Sequence, residues 1–314
     1  MSNNELDNRM SRASKTQRNK ELDFFDFIEI LLRHKLLIFL ITLTFLSIGI
    51  SYILMTPKVY RSEALLIPNS SSGSSGLSGI ASQFGGIASI AGINLGGSDE
   101  SNVEIALALT PTWGFQEKLI RENNLAPKII AVKGWDALNN KLLYDESIFD
   151  STANKWRGEY QSTPPSSWEL YEESKEMINI IKRKDSGLVS ISVEHYSPEI
   201  ARDWVFLIVE LLNSEIQEYD KKRAKESIKY LTQKATETNI AEMQTIFYQL
   251  IEEHTKTLLL TEVNNDYVFR IVSEPKIAEK HFKPNYLLVL ILSLLFGFLL
   301  SICIALFKHA SLRK

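Results

Sequence analysis

Two charge-free apolar runs, Leu36 to Thr56 and Asn285 to Phe307, stand near the two ends of this 314-residue chain, with a polar stretch of 228 residues between them. Each run matches the roughly 20 residues an α-helix needs to cross a ~30 Å hydrocarbon core, where only a helix or a closed barrel satisfies its own backbone groups. A cleaved signal peptide has a shorter apolar region and ends at a small-residue site, whereas LLIFLITLTFLSIGISYILM leads into Thr56-Pro57-Lys58-Val59-Tyr60. A buried core helix would show a polar face, and YLLVLILSLLFGFLLSICIALF shows none. The sequence therefore predicts two transmembrane helices, 36–56 and 285–307.

Two crossings put both termini on one side. Residues 1–35 carry seven Lys/Arg, and residues 308–314 carry Lys308, Arg313 and Lys314 with no acid. Short positive flanks stay in the cytoplasm, while a long segment is translocated largely regardless of charge. Both tails, 1–35 and 308–314, are thus expected to be cytoplasmic and the segment between the spans external. That segment holds 25 Lys/Arg against 32 Asp/Glu, which gives no basic footprint for nucleic acid. The one cysteine, Cys303, falls inside the second apolar run, so the external part has neither a disulfide framework nor a thiol nucleophile.

Val59 to Ile67 is a β-branched and aromatic run ending at Pro68, read as a strand. Residues 69–97 contain eight Ser and eight of the fourteen Gly. A flexible linker is one reading. The apolar residues Leu77, Ile80, Phe84, Ile87, Ile90, Ile93 and Leu95, mostly three apart, fit an amphipathic loop or short helix better. Residues 101–125 look helical with a break near Pro111, and Trp135 to Tyr160 is mixed. Ser166 with Glu169 is a capping-box pattern, predicting a helix through about Lys182. The alternation in Leu188 to Glu194 marks a strand with Val189, Ile191 and Val193 on one side, and Tyr267 to Ser273 reads as a third strand. This order points to an α+β fold: an α/β base over 57–196 and 266–284, close to the membrane and interrupted by a helical arm over 197–265.

The arm follows from composition. Glu199 to Glu274 contains neither Gly nor Pro, and Ser197-Pro198-Glu199 is a strong start signal. If the last two strands share a sheet, the helix must go out and return; a second capping-box pattern, Asn239 with Glu242, places the turn near Thr236 to Asn239. Apolar positions along the arm, among them Ile228, Leu231, Ala235, Met243, Phe247, Leu250 and Leu259, serve first to pack its two helices. Any surplus is a surface for identical neighbours, so a closed ring of copies is expected. Within the second span, Ser293, Gly297, Ser301 and Ala305 repeat every four residues, a small-residue face that lets helices approach, either within the chain or between chains; Ser47 and Ser51 make a shorter match on the first.

The sequence carries no recognisable chemistry. The histidines, His34, His195, His254, His281 and His309, lack metal-ligand spacing, and His195, at a strand end, reads as a surface or capping residue. Gly76-Leu77-Ser78-Gly79 lacks the spacing of a nucleophile elbow, no P-loop occurs, and Glu172-Glu173 and Glu252-Glu253 read as solvated helix faces. The expectation is no catalytic, cofactor or metal site, and a protein that is not an enzyme.

The layout resembles a known family. A leader DFFDFIEILLRHK, a span ending at TPKVYRSEALL, a helical external domain and then EPKIAEKHFKPNYLLVLILSLLFGFLL are similar to the Wzz chain-length determinants, or polysaccharide co-polymerases, of Gram-negative inner membranes. The chain departs from the family pattern in the spacing of Pro275 and Pro284 and in having Gly297 as the only glycine of its second span. The resemblance is to the class without a kinase domain. It implies ring-shaped homo-oligomers in the inner membrane with a large periplasmic domain. It also implies control of the length of O-antigen or a related polysaccharide, with the Wzy polymerase and the lipid-linked polysaccharide as partners. A two-span sensor or an export adaptor is the other reading of the layout.

Overall fold

The computed structural model describes residues 32–69, 98–264 and 266–312. The 1–35 tail up to residue 31, the Ser/Gly-rich stretch 70–97 and residues 313–314 lie outside the described residues. The chain divides into two compact units, Pro57–Lys283 and a second made of the segments that precede and follow it.

The second unit is a helix pair, α1 (Lys35–Met55) and α8 (Tyr286–Leu312). Both are long and apolar enough to cross a membrane. Their exposed surface is apolar, with Leu36, Phe39, Leu40, Leu287, Phe296 and Leu299 all facing outward, the opposite of what a water-soluble pair would show.

Residues 57–283 are built on a four-stranded antiparallel sheet of order β6-β7-β1-β8: Ile178–Lys182, Val189–His195, Tyr60–Pro68 and Phe269–Ser273. The chain's first strand is thus central and pairs with strands more than 100 residues later. The register sets Ala64 opposite Ile191 and Leu66 opposite Val189, so that these side chains share a face, as period-two alternation requires. Helix α6 (Pro198–Glu237) covers that face with Trp204, Val205, Ile208, Leu212 and Ile216, all buried. Helices α2 (Ser98–Leu109), α3 (Trp113–Glu122), α4 (Ala126–Ile130) and α5 (Ser167–Met177) complete the core through Val103, Ala106, Leu119, Leu125 and Leu170. Two small hairpins, β2–β3 (Val132–Asp136, Lys141–Tyr144) and β4–β5 (Phe149–Asp150, Lys155–Trp156), lie between α4 and α5.

The capping box at Ser166 and Glu169 is formed: each side chain bonds the other's backbone N–H, at 3.2 and 2.8 Å. The helix it starts ends at Met177, however, and not near Lys182. Ile178-Asn179-Ile180-Ile181 instead joins β7 as a strand, with Gly187 at φ +69° in the turn between them. Sheet pairing and burial of Ile178 outweigh the absence of a local helix stop.

The arm leaves and returns as anticipated. Helix α6 runs 40 residues, about 60 Å at 1.5 Å per residue; its first half packs on the sheet and its second half pairs with α7 (Ala241–Val263). The reversal occupies residues 238–240. The Asn239–Glu242 capping box is not made, because Ile240 is the N-cap and supplies no side-chain bond. Gln244 closes the tip instead, donating to the carbonyls of Thr238 (2.9 Å) and Ala235 (3.4 Å). At the other end Gln217 donates to the carbonyls of Thr261 (2.8 Å) and Asn264 (3.0 Å), satisfying acceptors that a helix terminus leaves free.

Candidate functional site

In the helix pair, the second helix meets the first along the small residues. An ideal Cβ on Gly297 would lie 2.8 Å from the Phe45 Cβ and 3.2 Å from the Thr42 Cα, so no larger residue fits without moving backbone. Four residues earlier, Ser293 sits against Gly49, whose own added Cβ would come within 2.5 Å of the Ser293 Oγ. Ser301 and Ala305, further along the same stripe, are fully buried. Ser47 and Ser51, in contrast, are exposed; the small residue of α1 that faces α8 is Gly49, about half a turn away. The serine hydroxyls bond within their own helix, Ser293 to the Val289 carbonyl at 2.7 Å and Ser301 to that of Phe298 at 2.7 Å, so none is left unpaired in an apolar setting.

Where the 57–283 unit receives and releases the chain, its two ends lie side by side. Val59 and Lys283 form an isolated antiparallel bridge, with the Val59 amide donating to the Lys283 carbonyl at 3.0 Å. Glu194 of β7 joins both ends: one carboxylate oxygen takes the Arg61 guanidinium (Nε at 3.1 Å) and the other the Lys283 ammonium at 2.6 Å. The Arg61 guanidinium also lies 3.5 Å from the centre of the Phe282 ring. Glu194 is half-buried, which pushes its carboxyl up, but bonds to Lys283 and Arg61 outweigh this and hold it below the usual carboxylate range. The entering and leaving strands are thereby clamped to one β-strand.

Of the histidines and acid pairs that the sequence singles out, His195 has the most defined surroundings. His195 is buried, not on the surface: its Nδ1 accepts the Ser197 N–H at 3.0 Å and its Nε2 lies 3.1 Å from the Lys128 carbonyl oxygen, so a neutral ring protonated on Nε2 satisfies both. Desolvation lowers its pKa to about 4. Its place in the capping of α6 fits the other half of the sequence reading. Among the described residues no cluster of three or more His, Cys, Asp or Glu could hold a metal ion.

One feature that sequence reasoning missed is a cleft of about 420 Å³ between α3, α5 and the β4–β5 hairpin. It combines apolar walls from Ile120, Pro127 and Leu170 with Trp156, Asn124, Asn154 and the ion pair Glu117–Arg121 at 3.1 Å. Its parts come from segments spread over 50 residues, so no local spacing announces it. Along the arm, Tyr219, Tyr230, Tyr248 and Leu259 remain exposed after α6 and α7 have packed.

Residues 20–99 match the family model "Wzz: Chain length determinant protein". The match covers the DFFDFIEILLRHK leader, the first apolar run and β1, and does not reach the EPKIAEKHFKPNYLLVLILSLLFGFLL segment. Curated proteins give no match. Among solved structures, a full-length bacterial polysaccharide co-polymerase is 14% identical over 93% of this chain and 99% of its own, with a TM-score of 0.38. A fragment of WzzB, the polysaccharide co-polymerase from Salmonella Typhimurium, is 13% identical over 72% of this chain and 100% of its own, with a TM-score of 0.30. Scores at that level carry no structural argument; the fold rests on the sheet order and packing above.

Proposed function

We propose that this chain, whose residues 20–99 match the model of the Wzz chain-length determinants, regulates the length of a surface polysaccharide at a bacterial inner membrane. The family match is the observation that carries the proposal. The architecture agrees with it: two candidate spans bracket one sheet-and-arm unit. In this reading both tails are cytoplasmic, as their Lys and Arg require, and 57–283 is periplasmic. The protein is not an enzyme. It acts as a co-polymerase beside a Wzy-type polymerase extending a lipid-linked chain such as O-antigen, and the helix pair's small-residue face fixes the spans. Copies assemble through the arm, whose exposed Tyr230, Tyr248 and Leu259 are the apolar surplus that neighbours would cover.

Deleting the gene and separating the surface polysaccharide by gel electrophoresis tests this. The expected result is polymer still made, its preferred length lost, and that length restored by the gene on a plasmid. Loss of all polymer would point to an enzyme or exporter, and an unchanged ladder would reject the proposal.

A further inference from the structure

We infer that the cleft between α3, α5 and the β4–β5 hairpin is a saccharide-binding site, an inference that rests on the reading above and names the polymer itself as what the 57–283 unit holds. Three observations support it. First, the lining is neutral and able to donate and accept at once. The Asn124 and Asn154 amides and the Ser167 hydroxyl open into it, and none of these, nor the Trp156 indole N–H, makes a hydrogen bond within the described residues. Sugar hydroxyls are likewise both donors and acceptors, so such a set pairs with them without a charge mismatch. Second, Trp156 is held in place, its ring 5.1 Å from Phe149 and 5.7 Å from Tyr160 in edge-on contacts, yet it is only half-buried. A fixed, partly open indole offers an amphipathic surface to the C–H face of a pyranose at little cost in side-chain entropy. Third, Arg121 is matched by Glu117 at 3.1 Å, which cancels the charge an anion would need. The volume, about 420 Å³, is in the range of a small-ligand site and holds one or two sugar units, not a polymer.

The two asparagines are fixed by backbone as well. Asn124 ends α3 at φ 52° and Asn154 closes the β4–β5 turn at φ 51°, a left-handed geometry that Asn and Gly tolerate and most residues do not. This makes Asn→Gly the clean test, since it removes the amide and keeps the turn. The probe is the producing cell's own surface polysaccharide, released from its lipid by mild acid, titrated onto the full chain in detergent and followed by tryptophan fluorescence. The inference expects saturable binding that weakens about tenfold in Asn154→Gly and in Asn124→Gly, the cost of one lost hydrogen bond near 1.4 kcal/mol, with circular dichroism unchanged. Trp156→Phe, which keeps an aromatic ring, should weaken binding and remove part of the fluorescence response. Absence of saturable binding to the wild type, or binding by both glycine variants as tight as that of the wild type, overturns the site. The titration needs no activity. It therefore stands apart from the gene deletion: a deletion that loses the preferred length while the titration fails rejects only the cleft.

Discussion

Acidification should loosen the 57–283 unit through His195. Its ring is neutral and buried, with Nδ1 committed to the Ser197 N–H and Nε2 to the Lys128 carbonyl. A second proton has to displace the first bond and place a charge in the core. The folded pKa, about 4, is below the ordinary 6.5, so the unfolded chain takes up the proton first. The neutral ring's contribution is therefore fully present above pH 6.5 and is lost as pH falls toward 4, where both states are charged. Each pKa unit is worth 1.36 kcal/mol, so the full difference is about 3 kcal/mol, and about 2 kcal/mol of it is lost between pH 7.5 and 5.0. For a domain of this size that moves a urea midpoint by roughly 1 M. Trp204 reports the change directly, its ring 5.2 Å from the imidazole. Half-buried His254 is shifted the same way by desolvation, and carboxylates such as Asp145, held at about 2 by Lys133 and Ser147, act at lower pH. The comparison is thus wild type against His195→Gln. Gln keeps a donor for Lys128 but leaves the Ser197 N–H unpaired, costing about 1–3 kcal/mol at pH 7.5. Its midpoint should then fall less than the wild type's from pH 7.5 to 5.0, by close to the 2 kcal/mol assigned to His195. Parallel pH curves for the two proteins would refute the assignment.

Other consequences are as concrete. Asn213 donates to the Phe269 carbonyl at 3.0 Å and accepts the Val268 and Phe269 N–H groups at 2.9 and 2.8 Å; Asn213→Ala strands all three and should cost about 3 kcal/mol or more by urea unfolding, while a loss under 1 kcal/mol would mean water replaces the amide. Gly297→Leu drives a side chain into Phe45 and the Thr42 backbone; it should lower the melting temperature in detergent by several degrees and broaden the polysaccharide length distribution, and unchanged values would show that the helices part there freely. A cysteine at Ser166 should react with a membrane-impermeant thiol reagent in cells with a permeabilised outer membrane while one at Ser14 should not, and the reverse pattern would invert the topology.

The parts legible in the sequence are those set by short-range or compositional signals. The apolar runs, the Ser166 capping box and the Gly- and Pro-free arm each state their structure within one segment. What stayed hidden depends on distant partners. Ile178 to Lys182 follows a helix with no stop signal and becomes a strand only because β7 lies beside it. The two hairpins turn at Asn140 and Asn154, both at positive φ, a signal available in the sequence but weak beside the Trp- and Tyr-rich mixture around it. His195 showed its strand end but not the Lys128 carbonyl that meets it, and the cleft needs α3, the β4–β5 hairpin and α5 to be brought together first.

The proposed mode of action depends on copies of this chain assembling. The full chain, purified in a mild detergent and measured by light scattering with the detergent contribution subtracted, should show a mass several times that of one 35.8 kDa chain. Replacing Tyr230, Tyr248 and Leu259 of the arm together by Ser should reduce that mass while leaving circular dichroism unchanged. A monodisperse monomer of the wild-type protein, across several mild detergents and at high protein concentration, would contradict the account.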